Sequence, residues 1–125
     1  MVKQRIWGWH LSIDASYCDL SSMKDYDNIY KFNKELVKKI DMMAYQEPRI
    51  VYFGNDEKSG YTLDQLISTS NICAHFSDGL EAIFLDIFSC KPFEIDVVIS
   101  LVKEYFGAGI IKTHFIERSC HYNEG

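Results

Sequence analysis

The chain has 125 residues, 18 acidic against 13 basic, a formal net charge of −5 and a pI near 5.3. That length is one domain, residues 1–125, with enough interior to fold without disulfide or metal staples. The acidic balance argues against a nucleic-acid or anionic-membrane binder, no apolar run approaches the ~18–20 residues that span a bilayer, and four cysteines without a Cys-x-x-Cys pair make a metal site improbable.

The N-terminus lacks a secretory apolar region, so a cytoplasmic location is expected, with Cys18, Cys73, Cys90 and Cys120 as free thiols. Ile6 to Ala15 alternates as a strand, with Trp7, Trp9, Leu11 and Ile13 on one face and Gly8, His10, Ser12 and Asp14 on the other. Asn28 to Ala44 carries Ile29, Phe32, Leu36, Ile40 and Met43 at helical spacing, with Asp25 or Asp27 as its cap. Glu47 to Phe53 reads as a second strand, and Gly54 to Gly60 as a turn or loop. Three short β-like runs follow between Tyr61 and Cys90, with Asp78-Gly79 marking the sharpest turn. Pro92 stands near the start of a helix carrying Val98, Leu101, Val102 and Tyr105, which Gly107 ends. Ile110 to Ile116 is a final strand, and Cys120-His121 falls in a frayed tail. Two helices, each with one apolar stripe, then pack on one face of a mainly antiparallel sheet, an α+β two-layer sandwich.

One stretch carries a chemistry. It holds Thr62, Ser70, His75 and Cys90. Any one of these alone is an ordinary strand or core residue, and their spacing alone does not single out a chemistry; together they supply the groups that a self-cleaving site needs. A serine hydroxyl in a tight strand junction can attack the preceding carbonyl, here that of Thr69. The acyl shift and elimination then break the chain and leave a pyruvoyl group on residue 70. That chemistry needs a strained peptide, a hydroxyl for the oxyanion (Thr62) and a base for the serine Cα proton (His75). A pyruvoyl carbonyl takes a substrate amine as a Schiff base and receives the electrons left when CO₂ departs, as pyridoxal phosphate does. Cys90 is the candidate proton donor.

The residue pattern resembles the short, prokaryotic-type S-adenosylmethionine decarboxylases over nearly the whole chain. Gly8-Trp9-His10-Leu11 and Cys18-Asp19 look like that family's Gly-x-His-Leu and Cys-Asp patterns. Ser70 matches its cleavage serine, His75 its processing histidine and Thr62 its processing serine. Leu85-Asp86-Ile87-Phe88-Ser89-Cys90 resembles its Asp-Val-Phe-Thr-Cys segment, with Cys90 on the proton-donor cysteine. The resemblance implies the two-layer sandwich, cleavage between Thr69 and Ser70, a pyruvoyl cofactor, a homodimer and decarboxylated S-adenosylmethionine, the aminopropyl donor for spermidine.

Two departures bear on this. Thr69-Ser70-Asn71 replaces the family's Glu-Ser-His. Its Trp-Pro-Glu segment after the histidine is replaced by Phe76, Ser77, Asp78 and Gly79. Phe53 stands for one aromatic wall of the substrate pocket, with Phe76, Asp78 and Glu81 as substitutes for the lost contacts. Two alternatives stay open: a pyruvoyl-dependent arginine or ornithine decarboxylase, and an unprocessed, non-catalytic homologue that acts as a binding or regulatory subunit.

Overall fold

The structure, a computed structural model, describes residues 1–125. Six strands form one antiparallel sheet: β1 Val2–Ser16, β2 Arg49–Phe53, β3 Gly60–Ile67, β4 Ser70–Ser77, β5 Ala82–Ser89 and β6 Ile110–Asn123, in the order β2-β3-β4-β5-β1-β6. Three helices complete the chain: the short α1 Leu20–Met23, then α2 Tyr26–Lys39 and α3 Ile95–Phe106. The α+β two-layer sandwich expected from the apolar patterning is what the chain forms.

Strand alternation sorts the sheet into two faces. Leu11, Ile13, Leu63, Ile72, Leu85 and Ile87 point to the helical layer and are fully buried there or nearly so. The helices supply Phe32, Leu36, Val98 and Phe106 to the same core. Phe106 sits at its centre, 5.0 Å from the Phe32 ring and 5.2 Å from the Phe76 ring. The opposite face of the sheet carries no helix, and apart from Ser77 and Ala82 its side chains are half-buried or exposed.

Several boundaries differ from the sequence reading. The first long helix spans Tyr26–Lys39, because the Asp25 carboxylate caps it by accepting from the Asp27 and Asn28 amides. It stops before Asp41, whose φ of +56° leaves the helical region. Met43 therefore lies beyond the apolar stripe and is 78% exposed. β2 begins at Arg49, since Pro48 has no N–H for a ladder. β6 runs to Asn123, where backbone pairing with β1 places Cys120 opposite Arg5 and His121 opposite Gln4 in regular strand. That ribbon has no buried face, so its sequence shows no alternation. Trp7 was expected beside Trp9; a register shift between Ile6 and Gly8 turns it to the open face, 5.7 Å from the Phe88 ring. Gly107 ends α3 in the left-handed conformation, φ +61°, as its position suggested.

Candidate active site

β3 and β4 join through a two-residue turn, Ser68-Thr69, with Ile67 paired to Ser70. Thr69 has φ +55°. Glycine or asparagine normally takes such a position, and a β-branched residue there is strained. The peptide after Thr69 is the one expected to break. Its turn is buttressed by the segment after α2: Ser68 N donates to Met43 O at 3.0 Å, and Ala44 bridges to Ile67.

The end of β5 lies against this turn. The Cys90 amide donates to Ser70 Oγ at 2.8 Å, and Cys90 Sγ lies 3.5 Å from Ser68 O. The hydroxyl of Thr69, then that of Ser70, the Cys90 amide and the charge of Lys91 hold the Cys90 thiol below its ordinary range. The residue expected to give a proton at position 70 thus adjoins it, with its anion favoured by local donors.

Thr62 and His75 form a second pair. They are cross-strand partners on the open face, with Thr62 Oγ1 3.2 Å from His75 Nδ1. His75 Nε2 has a further neighbour, Cys73 Sγ, at 3.6 Å. Strand alternation turns His75 to the open face and Ser70 away from it, and five residues of strand separate them by about 16 Å. The four chemical residues are therefore two pairs, Ser70 with Cys90 and Thr62 with His75.

Between the pairs the face is polar and notched. A cleft of about 780 Å³ beside the turn is lined by Met43, Tyr45, Asp64, Leu66, Ser70 and Phe88 among others. A smaller one, about 350 Å³, lies between Arg49, Val51, Phe53, Thr62 and Asp64. Asp64 borders both and makes no ion pair. Towards β1, Asp86 accepts from Ser12 Oγ at 2.8 Å and pairs with His10 Nε2 at 3.1 Å. His10 thus finds its carboxylate across the sheet, in Asp86.

The residues assigned to substrate fall in different places. Phe53 is 58% exposed on the open face beside Thr62. Phe76 is a correction: at 2% exposure it packs edge-on against Phe106 on the helical side and reaches no cleft. Even numbering from Ile72 and Ala74 places it there. Asp78 accepts from the Tyr52 hydroxyl at 2.7 Å, which ties β2 to the β4–β5 turn. Glu81 lies exposed in that turn at φ +50°. Ser77 and Gly79 face the short 3₁₀ turn Asp56–Lys58: Ser77 Oγ donates to Glu57 O, and a Cβ on residue 79 would stand 2.7 Å from Glu57 Cα. The space after His75 is thus filled by the chain itself, which is why residue 79 is glycine. Cys73 and Asp64 went unnoticed in the sequence. The signal was there: each lies two strand residues from His75 or Thr62, hence on the same face.

The model of the S-adenosylmethionine decarboxylase family matches residues 9–119. The crystal structure of an adenosylmethionine decarboxylase from Aquifex aeolicus VF5 superposes with a TM-score of 0.76 over 91% of this chain and 92% of that one, at 16% identity. No curated protein sequence gives a significant match.

Proposed function

The chain belongs to the S-adenosylmethionine decarboxylase family, and from that premise we propose that it is a self-processing, pyruvoyl-dependent decarboxylase acting on S-adenosylmethionine. The observation that carries this is the strained Thr69-Ser70 turn with Cys90 closed over it. Ser70 Oγ attacks the Thr69 carbonyl carbon, the peptide C–N bond breaks and the nitrogen takes up the hydroxyl proton, giving an ester and a free amine. Loss of the Cα proton to a base expels Thr69 as a carboxylate. Water then replaces the nitrogen as ammonia and leaves the keto acyl group on residue 70.

The residues present fit that group. It arises from Ser70 itself, and Cys90 lies against that residue, its amide donating before cleavage to Ser70 Oγ, the oxygen that leaves with Thr69. Once formed, the group supplies an electron sink for decarboxylation. Cys90 returns a proton to the carbon that lost CO₂, and the Thr69 and Ser70 hydroxyls that lower its thiol pKa favour the anion it passes through. Thr62 donates a hydrogen bond to the oxyanion of the cleavage step, and His75 takes the Cα proton. Asp64 and the aromatic rings of Phe53 and Phe88 offer a carboxylate and apolar walls to a cationic substrate. Its product serves as an aminopropyl donor for spermidine.

The working form is a homodimer. Thr62 and His75 stand about 16 Å along the strand from Ser70, too far to act on it within one chain. A second copy stacked face to face about a two-fold axis midway between the pairs brings each His75 over its partner's turn. The open face also exposes Trp7, Val51, Phe53, Leu66, Phe84 and Ile116, an apolar surface that such stacking covers. No helix is long and apolar enough to cross a membrane, and a cytoplasmic location is part of the reading.

Intact mass of freshly purified and aged protein tests cleavage before Ser70. Carboxyl-labelled S-adenosylmethionine, arginine and ornithine then test the substrate by labelled CO₂. Asp64, unpaired in the cleft, favours the arginine or ornithine reading as the second one. A chain that never cleaves leaves the non-catalytic homologue.

A further inference from the structure

Both ring nitrogens of His75 have a neighbour. Thr62 Oγ1 stands 3.2 Å from Nδ1 and Cys73 Sγ stands 3.6 Å from Nε2. Thr62 reaches the ring from β3, whereas Cys73 lies two residues earlier on the same strand and face. A neutral imidazole has one N–H and one bare nitrogen, so its two neighbours must differ: one donates and the other accepts.

We propose that Cys73 is a positioning residue for His75: its S–H donates to Nε2, which leaves the Nδ1–H to donate to Thr62 and the Thr62 hydroxyl proton free. The proposal rests on the roles proposed above for Thr62 and His75. Cross-strand register supports this polarity by placing a carboxylate on each side of Cys73, Asp64 on β3 and Asp86 on β5. Burial, with Asp64 and Asp86 after it, pushes the thiol above its ordinary range and keeps its proton on sulfur. The opposite arrangement would spend the Thr62 proton on the ring and leave none for an oxyanion. An S–H donor is weak, so it orients the ring at rest and turns aside when Nε2 takes a proton. Only its place two strand residues before His75 marks Cys73 in the sequence, and a valine of similar size would fill the same half-buried space.

The test begins in the uncleavable Ser70→Ala protein, so it needs no processing. Ring ¹⁵N spectra, with His75 assigned by loss of its signals in His75→Gln, report the tautomer. The expected result is the Nδ1–H form with Cys73 and a mixture with Cys73→Val. In the Ser70 protein, C73V is expected to cleave about tenfold more slowly by intact mass, a fraction of the ~10²–10⁴ a positioned base supplies. Cys73→Ser, which keeps a donor, is expected within about threefold of the parent. Cys73→Ala is read in the same way should valine disturb the strand. Ring signals unchanged by the substitution, an Nε2–H form in the parent, or an unchanged cleavage rate overturns the proposal. If no chain ever cleaves, the function proposed above fails while the ring spectra still decide the role of Cys73.

Discussion

Thr69 offers the sharpest test of the cleavage reading. Its backbone sits at φ +55°, a conformation that costs an ordinary L-residue ~1–2 kcal/mol, and a β-branched one is a clear outlier there. Its hydroxyl makes a 2.8 Å bond to Ser68 O at an exposed turn, which returns only a small part of that. Asparagine tolerates the left-handed region and can bond locally. Thr69→Asn should therefore stabilise the uncleaved chain by about 1 kcal/mol. In the Ser70→Ala background, that is a rise in Tm of roughly 3–5 °C for a domain of this size.

The kinetic consequence follows if breaking the peptide releases the strain. Stabilising the intact turn by about 1 kcal/mol raises the barrier and slows cleavage about fivefold. Thr69→Gly separates the two effects. Glycine relieves the same native strain, but the freedom it adds to the unfolded chain costs ~0.5–1 kcal/mol. Its Tm should barely move while its cleavage slows as much as with asparagine, because cleavage starts from the folded turn. Thr69→Ser, which keeps the hydroxyl that donates to Ser68 O, controls for the loss of that bond. The assay is intact mass against time in freshly refolded protein. Cleavage as fast or faster in both T69N and T69G would refute strain as a driving term.

Three further outcomes are expected. Refolding Ser70→Ala together with His75→Ala should restore cleavage in part of the His75→Ala chains, though neither variant cleaves alone; no cleavage in the mixture removes the face-to-face dimer. Cys90→Ala should still cleave but release labelled CO₂ ~100-fold more slowly at saturating substrate, and an unchanged kcat would take Cys90 out of the proton-return role. At alkaline pH, Cys18 is 3% exposed, and burial, then Glu81, pushes its thiol from 9.0 to about 11. Tyr105 is raised to about 12 by its hydrogen bond to Glu35. Both folded values lie above the unfolded ones. Their stabilising contribution is thus full below about pH 9 and lost as pH rises through 11 and 12. The Cys18 part is worth about 3 kcal/mol. Denaturant melts should fall across pH 9–11 in the parent and stay flatter in Cys18→Val.

Much of this molecule was legible in its residues. Leu11, Ile13, Leu63, Ile72, Leu85 and Ile87 alternate because a strand presents every second side chain to one side. Leu36, Val98, Leu101 and Val102 repeat at helical spacing because their helices have one face to bury. Those two periods determined the α+β sandwich, and the resemblance carried by Gly8–Leu11, Ser70, His75 and Leu85–Cys90 determined which chemistry to look for. Gly107 and Asp25 marked helix ends because a left-handed stop and a carboxylate cap are local requirements.

What the periods cannot carry is pairing. The register shift that turns Trp7 outward, against the alternation of Ile6 to Ala15, depends on β6, and the length of β6 depends on β1. Phe76 looks like a pocket wall until the core places Phe106 against it. Above all, the four chemical residues lie close in number, yet only the β3–β4–β5 register divides them into two separate pairs. The sequence by itself determined the layers, because these are written in local periodicity, and the candidate chemistry, because its motifs resemble a known family's. Tertiary structure alone decided which residues meet, put Cys73 on the histidine and left the sheet face open, because strand register is a long-range choice made by the whole sheet at once.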